Sequence, residues 1–384
     1  MAPIVILGSG LAGYTVAREF RKLDAATPLV IVTRDDGAVY SKPMLSNALA
    51  GGRSAAALST ADAAAAAGQL NATVMARREV AAIDVAGHAL AFADGERLDY
   101  AKLVLALGAD PIRVPLEGDA ADAVMQVNDL DDYSRFRDAI EPATHVTILG
   151  AGLIGCEFAN DLVATGRKVD AIDPGAWPLG RLVPEQVGRA FAAKLGAAGV
   201  SLRLGTTAQS VERRADGGLR VRLADGGTID TDAVLSAIGL RPRTQLAQAA
   251  GLAVNRGVVV DRQLRASAPD VYALGDCAEV AGQVLPFVMP LMNAARALAK
   301  TLAGEPTDVR YPAMPVVVKT PAAPLTVAPP APGTDGSWRF VEGDDGGLEA
   351  TFVDAQENLL GFALLGGAPA TRQALTKRLP AVLG

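Results

Sequence analysis

Hydrophobic positions near the N-terminus predict a strand, a helix and a second strand. Residues 3–8 form a continuous apolar run, residues 11–23 follow a helical pattern, and LVIVT at 29–33 is a second apolar strand. Apolar runs that alternate with a helical segment are typical of a βαβ unit with buried, parallel strands. A further helix is predicted at 55–68, and short strands are predicted within EVAAIDV, HALAF and LDYAKLVLALG.

The same succession restarts in the middle of the chain. It predicts a strand at 146–149, a helix at 153–165 and a strand at 168–173, and a second meander of short strands follows. The pattern therefore indicates an internal duplication of architecture. Farther along, VYALGDCA at 271–278 predicts an isolated strand, and a helix is expected at about 291–302.

The composition changes from Tyr311, where prolines begin to cluster. Short strands and a final helix near 370–379 are predicted beyond this point. The predicted fold class is α/β, with two Rossmann-like dinucleotide-binding domains and a small α+β C-terminal domain. The predicted domains are residues 1–108 together with 242–310, then 109–241, and finally 311–384.

Charge and cysteine content exclude several classes of function. The chain has 384 residues, enough for two or three domains, and its net charge of −6 argues against a nucleic-acid partner. The first strand begins by Ile4, which leaves no room for a signal peptide, and no apolar run is long enough to span a bilayer. A cytoplasmic protein is therefore expected. Cys156 and Cys277 are isolated and only two histidines occur, so no metal site is predicted.

Two glycine-rich turns, GSGLAG and GAGLIG, each follow an apolar strand and open a helix. In such a turn the first glycine permits a tight bend, the second lets a pyrophosphate approach, and the third allows close helix–strand packing. The alternative is a plain βα turn of an unrelated α/β protein, but the context favours two dinucleotide sites. The predicted lining residues are Gly8, Gly10, Leu11, Ala12 and Gly13 in the first turn and Gly150, Gly152, Leu153, Ile154 and Gly155 in the second.

A carboxylate at the end of the second strand of such a unit binds the adenosine ribose. Asp173 occupies this place in the second copy and would repel the 2′-phosphate of NADPH, so NADH is predicted; an exposed turn residue before Pro174 is the alternative. The first copy has Thr33 and Arg34 there, with Asp35 next, so either Asp35 or the backbone would hold the ribose. Two dinucleotides imply a relay from mobile NADH to a held flavin.

Several motifs resemble those of the two-dinucleotide-binding flavoprotein reductases, which have the glutathione-reductase-like fold. GSGLAG resembles their FAD turn, GxGxxGxE their NADH turn, and LVLALGADP and LSAIGLRP their interdomain crossovers. VYALGDCA resembles the late FAD motif whose aspartate binds the ribityl chain, although an aspartate after a strand is otherwise often a cap. The resemblance implies FAD contacts at Thr33, Arg34, Asp35, Lys42, Pro43, Val80, Gly108, Gly275, Asp276, Val288 and Lys319, and NADH contacts at Glu157, Asp173 and Gly239.

Subfamilies of this group differ in where the electrons go next. Disulfide reductases need a cysteine pair, and peroxidases and oxidases need one cysteine shortly after the first βαβ unit, where VYSKPMLSNAL has none. Cys156 and Cys277 are expected to be inert packing residues. By elimination, an external acceptor receives the electrons.

YSKPMLS, DPIRVP, CEFANDL and MPVVVKTPAAPL are most similar to the bacterial rubredoxin reductases. This resemblance implies hydride transfer from NADH to FAD and single-electron transfer to rubredoxin, a small acidic iron carrier. In the wider group Arg and Lys stand where this chain has Lys42 and Asn47. Ferredoxin, flavorubredoxin or a nitrite reductase centre remain alternative acceptors, and a non-catalytic NADH sensor like apoptosis-inducing factor is a further alternative.

Three charged residues are predicted to act near the reacting atoms. Glu157 would lie near the nicotinamide, or else be a charge that stabilises the helix dipole. Lys42 and Lys319 would lie near the flavin, or else be solvated lysines. With Arg296 and Lys300 they could also form a basic rim for rubredoxin. A monomer is expected.

Overall fold

The computed structural model describes residues 1–343 and 346–384. The N-terminal part begins with the predicted strand, helix and strand. Its strands are β1 (Ile4–Leu7), β2 (Leu29–Val32), β3 (Val39–Tyr40), β4 (Ser59–Ala61), β5 (Thr73–Met75), β6 (Val80–Asp84), β7 (Ala89–Phe92), β8 (Arg97–Asp99), β9 (Lys102–Leu105) and β10 (Ala109–Pro111). Its helices are α1 (Leu11–Arg21), α2 (Ala55–Leu58) and α3 (Ala63–Leu70), with a 3-10 helix at Lys42–Asn47.

The middle of the chain repeats this order. Its strands are β11 (Val124–Met125), β12 (His145–Leu149), β13 (Lys168–Asp173), β14 (Val200–Leu204), β15 (Ala208–Arg213), β16 (Leu219–Leu223), β17 (Thr228–Thr231), β18 (Ala233–Ser236) and β19 (Leu240–Pro242). Its helices are α4 (Leu130–Ile140), α5 (Leu153–Val163) and α6 (Glu185–Ala197), with a 3-10 helix at Ala121–Ala123.

The last third first returns to the N-terminal unit and then forms a separate sheet. Its strands are β20 (Val258–Val260), β21 (Val271–Ala273), β22 (Ala278–Val280), β23 (Val316–Val318), β24 (Leu325–Ala328), β25 (Ser337–Glu342), β26 (Leu348–Val353) and β27 (Leu359–Leu365). Its helices are α7 (Gln245–Ala249), α8 (Val288–Leu302) and α9 (Pro369–Arg378), with a 3-10 helix at Gly275–Cys277.

Two five-stranded parallel sheets with the same internal order carry the two glycine turns. One sheet has the order β21-β9-β1-β2-β5 and the other the order β11-β18-β12-β13-β14. In the first, Leu7 pairs with Val32, and in the second, Leu149 pairs with Ile172. This common register gives a residue-by-residue correspondence between the two Rossmann-like units, and Thr33 corresponds to Asp173.

Smaller antiparallel elements accompany these sheets. β6-β7-β8 follows the first unit and β15-β16-β17 lies within the second, while β10 and β19 pair as a two-stranded ribbon. That ribbon joins the two interdomain crossovers. The C-terminal sheet has the order β23-β24-β27-β26-β25, and α9 contacts β27. The architecture is therefore α/β with a small α+β C-terminal part.

The prediction of a single helix at 55–68 is wrong. The chain forms α2 and α3 there, with β4 between them. Ser59 has an extended backbone, and Thr60 Oγ1 donates a hydrogen bond to the Val39 carbonyl (3.0 Å), because β4 pairs with β3. The Asp62 carboxylate then caps the new helix by accepting from the Ala65 amide. Tertiary pairing overrides the helical propensity of the alanine run.

Buried side chains connect the second unit to the C-terminal sheet. Ile148 and Phe158 belong to one apolar cluster with Leu325, and Leu45 and Leu49 of the N-terminal part join the same cluster. Three parts of the chain therefore meet around α5. Among the described residues, no helix is long and apolar enough to cross a membrane.

Candidate functional site

The first glycine turn has the geometry of a ligand cradle. Gly8 has φ of +118°, and a Cβ there would lie 2.2 Å from the Ala106 carbonyl oxygen. A Cβ on Gly13 would lie 1.9 Å from the Gly8 carbonyl oxygen, so α1 packs directly on the turn. At Gly10, by contrast, no described atom lies within 4 Å of such a Cβ. The open side of the turn thus faces outward at the start of α1.

The second turn reproduces this arrangement at the start of α5. A Cβ on Gly150 would lie 2.7 Å from the Ala237 carbonyl oxygen, and one on Gly155 would lie 1.9 Å from the Gly150 carbonyl oxygen. Gly152 is open in the same sense as Gly10. Glycine at both N-cap positions leaves the first helix amides without a side-chain acceptor, and such amides bind anions. Both turns therefore fit a dinucleotide pyrophosphate.

Each turn is also contacted by an aspartate from the end of the neighbouring strand. Asp173 accepts from the Ala151 amide and from the Gly175 amide, both at 2.7 Å. Asp35 Oδ1 accepts from Ser9 Oγ (2.8 Å), within the first turn, and from the Gly37 amide (2.9 Å). Both carboxylates are half-buried. The first unit thus has an acid at its turn, although its sequence position is shifted.

Lys42 is bonded inside the protein, so the solvated alternative is wrong for this residue. Its ammonium donates to Asn128 Oδ1 (2.6 Å), and Asn128 Nδ2 donates to the Ala109 carbonyl (3.1 Å). Burial lowers the pKa of Lys42, and the nearby Asp276 carboxylate opposes that shift. Burial likewise raises the pKa of Asp276, against the charges of Lys42 and Arg243. These three charges therefore interact within one partly buried region.

Arg243 is a candidate site residue that the sequence analysis did not include. Its Nε donates to Asp110 Oδ1 (2.6 Å) and its Nη1 donates to the Leu107 carbonyl (2.8 Å). Its backbone amide donates to the Gly108 carbonyl at 3.0 Å. Within the described part of the chain, Nη2 has no hydrogen-bond partner. The available signal was its position directly after the LSAIGLRP crossover.

Two of the remaining predicted FAD residues, Gly108 and Gly275, lie at the carboxyl edge of the first sheet. Gly108 follows β9, and Gly275 follows β21. Both have positive φ, and a Cβ on Gly275 would lie 2.9 Å from the Ala12 side chain. Because β1, β9 and β21 are adjacent and parallel, these residues share one edge. Val80 begins β6, and Val288 begins α8 with 40% exposure; Gly239 follows β18 of the second sheet.

Glu157 is completely buried and paired, which differs from a charge at a solvated helix end. Its Oε2 accepts from Lys319 Nζ (2.6 Å) and Ser46 Oγ (2.5 Å), and its Oε1 accepts from the Lys319 amide (2.9 Å). Lys319 is therefore not a solvated lysine.

Because Lys42 and Lys319 are bonded internally, neither is free for the predicted basic rim. The other two residues of that rim, Arg296 and Lys300, are exposed.

The cysteines are buried and form no disulfide. Burial raises the pKa of Cys156 and raises the pKa of Cys277 to about 11, so both thiols stay protonated at neutral pH. Across residues 1–343 and 346–384, no group of three or more histidine, cysteine or acidic side chains is arranged to hold a metal ion.

Two family models match the chain. Pyridine nucleotide-disulphide oxidoreductase matches residues 2–299, and Rubredoxin binding C-terminal domain matches residues 308–379. The two matches are consecutive and do not overlap. The second contains Lys319, Thr320 and the whole C-terminal sheet.

Similarity to individual proteins extends over the full length. A rubredoxin-NAD(+) reductase of Alcanivorax borkumensis is 51% identical over 383 residues, which is 100% of both chains. A nitric oxide reductase FlRd-NAD(+) reductase of Aeromonas salmonicida is 38% identical, covering 98% of this chain and 96% of its own. The covalent putidaredoxin reductase–putidaredoxin complex has a similar structure, with a TM-score of 0.87, 27% identity and coverage of 99% and 94%.

Proposed function

We propose a function from one established premise: the chain belongs to the pyridine nucleotide-disulphide oxidoreductase family. It is an NADH-dependent flavoprotein reductase that passes electrons from NADH through FAD to rubredoxin. The observation that carries this conclusion is the presence, in one chain, of two glycine cradles and a C-terminal region that matches a rubredoxin-binding domain.

The first cradle is proposed to hold FAD. FAD, when bound, accepts a hydride and releases electrons one at a time. Gly10 would admit the pyrophosphate, Asp35 would bind the ribose, and Asp276 would contact the ribityl chain. Lys42 and Arg243 would place positive charge beside the bound anion, which their position near Asp276 supports. Arg243 is an addition to the residues predicted from sequence.

The second cradle is proposed to hold NADH. Gly152 would admit its pyrophosphate, and the Asp173 carboxylate would bind the ribose hydroxyls and repel a 2′-phosphate. Glu157 lies one turn into α5, below the same cradle. Each turn belongs to one of two equivalent units, and the crossovers of these units pair as the β10–β19 ribbon. This pairing supports a close approach of the two ligands.

Three further properties are part of the proposal. The chain is proposed to divide into residues 1–108 with 242–310, 109–241 and 311–384. It is proposed to act as a monomer in the cytoplasm. Two buried cysteines without a disulfide are typical of a reducing compartment.

Flavorubredoxin is the second candidate acceptor, because of the 38% identity to the Aeromonas salmonicida protein. The test is a stopped-flow experiment with the FAD-loaded protein. NADH should bleach the flavin, and rubredoxin should then be reduced with a higher kcat/KM than flavorubredoxin or ferredoxin. Faster reduction of flavorubredoxin would favour the second candidate. Flavin bleaching without turnover of any carrier would favour the NADH sensor.

A further inference from the structure

The side chain of Asn128 connects two distant segments of the chain near the carboxyl edge of the first sheet. The residue is 7% exposed and lies just before α4. Its Oδ1 accepts from Lys42 Nζ (2.6 Å) at the start of the 3-10 helix, and its Nδ2 donates to the Ala109 carbonyl (3.1 Å) in β10. Both ends of this buried amide are therefore paired, as burial of a polar group requires.

The backbone and the amide orientation of Asn128 are fixed as well. Its backbone amide donates to Asp132 Oδ2 (2.9 Å), and the neighbouring Asp129 carboxylate caps α4 by accepting from the Asp132 amide (2.8 Å). The side-chain amide cannot turn over, because its NH₂ group would then face the Lys42 ammonium and both groups only donate. The surroundings thus select the orientation in which an oxygen faces Lys42.

The ammonium group of Lys42 keeps donors for a ligand. It has three donors, and among the described residues Asn128 Oδ1 is the one side-chain or backbone atom that accepts from it. Burial lowers the pKa of Lys42, while the charge of Asp276 opposes that shift and the charge of Arg243 adds to it. Two donors therefore remain beside Asp276, which follows Gly275 at the edge where the first cradle opens.

We propose that Asn128 is a positioning residue that holds the Lys42 ammonium toward FAD in the first cradle. The inference rests on the proposed function, because it requires FAD at that cradle. Asn128 lies in segment 109–241, which is proposed to bind NADH. Its consequence is that the second unit takes part in holding FAD, so that both the affinity for FAD and the potential of the flavin depend on a residue outside segments 1–108 and 242–310.

The test is a double-mutant cycle of Asn128→Leu and Lys42→Met, measured on the full chain loaded with FAD. Each single change is expected to raise the FAD dissociation constant about tenfold, the scale of one charged hydrogen bond. Each should also lower the midpoint potential of the flavin, because a nearby positive charge stabilises the more anionic, reduced form. In the Lys42→Met background, Asn128→Leu should change neither quantity further, because Asn128 acts through Lys42.

The matched control is Asn358→Leu. It removes a hydrogen bond to Asp354 (2.9 Å) at the exposed turn between β26 and β27. Its dissociation constant and midpoint potential should equal those of the wild type. Losses that multiply in the Asn128→Leu, Lys42→Met double variant would overturn the inference, since Asn128 would then act through Ala109 or through the start of α4.

A second variant keeps the test valid if Asn128→Leu unfolds the protein. Asn128→Asp places a carboxylate that is paired with Lys42 in the wild-type background and is buried without that partner in the Lys42→Met background. It should therefore weaken FAD binding more in the second background than in the first. Equal losses in the two backgrounds would overturn the inference.

Failure of the inference can be distinguished from failure of the proposed function. Wild-type protein that binds no FAD, or whose flavin NADH cannot bleach, would overturn the proposed function and, with it, this inference. Wild-type flavin that NADH bleaches, together with an Asn128→Leu variant whose FAD affinity and midpoint potential equal those of the control, would overturn this inference alone.

Discussion

Asp35 accepts a hydrogen bond from Ser9 at 2.8 Å, and this contact brings a carboxylate to the first glycine turn. The strand register gives Thr33 the place that Asp173 has in the second unit. Thr33 Oγ1 donates to Asp35 (2.6 Å), and the turn that ends at Gly37 folds the carboxylate back. The two units therefore reach a similar arrangement from positions that differ by two residues.

Replacing this acid should weaken FAD binding. We expect Asp35→Ala to raise the FAD dissociation constant about tenfold or more, since a hydrogen bond to a charged group is worth about 1.5–3 kcal/mol. Release of fluorescent FAD on dilution measures the effect. Asp36→Ala is the matched control, because its carboxylate accepts from the Ala38 amide and is exposed. Equal FAD retention in both variants would contradict this role for Asp35.

Asp173→Arg should shift the preference from NADH toward NADPH. The change removes the repulsion of a 2′-phosphate and supplies a cation, worth about 1–3 kcal/mol. The Ala151 and Gly175 amides also lose their acceptor, so kcat/KM for NADH should fall as well. The measurement is the ratio of kcat/KM for the two nucleotides, with Asp225→Arg, at an exposed turn, as the control. An unchanged ratio would place the ribose elsewhere.

Arg243→Gln should weaken FAD binding, because Arg243 Nη1 lies 3.9 Å from the position of a Cβ on Gly108 and its charge opposes the raised pKa of Asp276. We expect the FAD dissociation constant to rise about tenfold, which is the scale of one charged hydrogen bond. Arg241→Gln on the same ribbon is the control, since Arg241 is exposed. The readout is FAD content after gel filtration. Retention equal to that of the control would mean that Arg243 only stabilises the ribbon through Asp110.

The sequence was sufficient to predict the parts of the site that depend on local rules. Both glycine turns and the strand ends beside them were identified, because tight turns and apolar runs are local features. Two features depended on tertiary contacts and were not predicted, namely the break of the 55–68 helix by β4 and the pairing of Glu157 with Lys319. Asp35 was predicted only as one of two alternatives, because its approach to the first turn depends on the contact with Ser9. Arg243 was missed because its role depends on pairing across the β10–β19 ribbon.

Stability should fall at acid pH through Asp170 at the amino end of the second sheet. Burial of this carboxylate favours a higher pKa, but hydrogen bonds from Ser201, His145 and Arg203, with the charge of His145, outweigh burial and lower the pKa. A lowered folded-state pKa stabilises the protein above the unfolded value of about 3.9, and this contribution is lost as pH falls through the folded value. Urea midpoints should therefore drop below about pH 4. Asp170→Asn should weaken that dependence; an identical pH profile would contradict the prediction.

Encounter with rubredoxin should be steered by charge on α8. Arg296 and Lys300 are exposed there, four residues apart, although Lys300 also lies 3.6 Å from Glu305. Because Lys42 and Lys319 are bonded internally, these two residues remain from the predicted rim. Exposed charges are screened over a Debye length of about 8 Å at physiological ionic strength, so rubredoxin reduction should slow as salt rises.

Charge reversal separates steering from the earlier chemistry. Arg296→Glu and Lys300→Glu should lower the association rate with rubredoxin and reduce its dependence on salt, because the association rate responds to complementary charge. Reduction of the flavin by NADH should be unaffected. Lys168→Glu is the control, since Lys168 is exposed at the start of β13, at the amino end of the second sheet. If rubredoxin is reduced fast but the rate is insensitive to salt and to both charge reversals, rubredoxin remains the acceptor and steering by α8 is excluded. If rubredoxin is reduced no faster than ferricyanide at equal concentration, rubredoxin is not the acceptor.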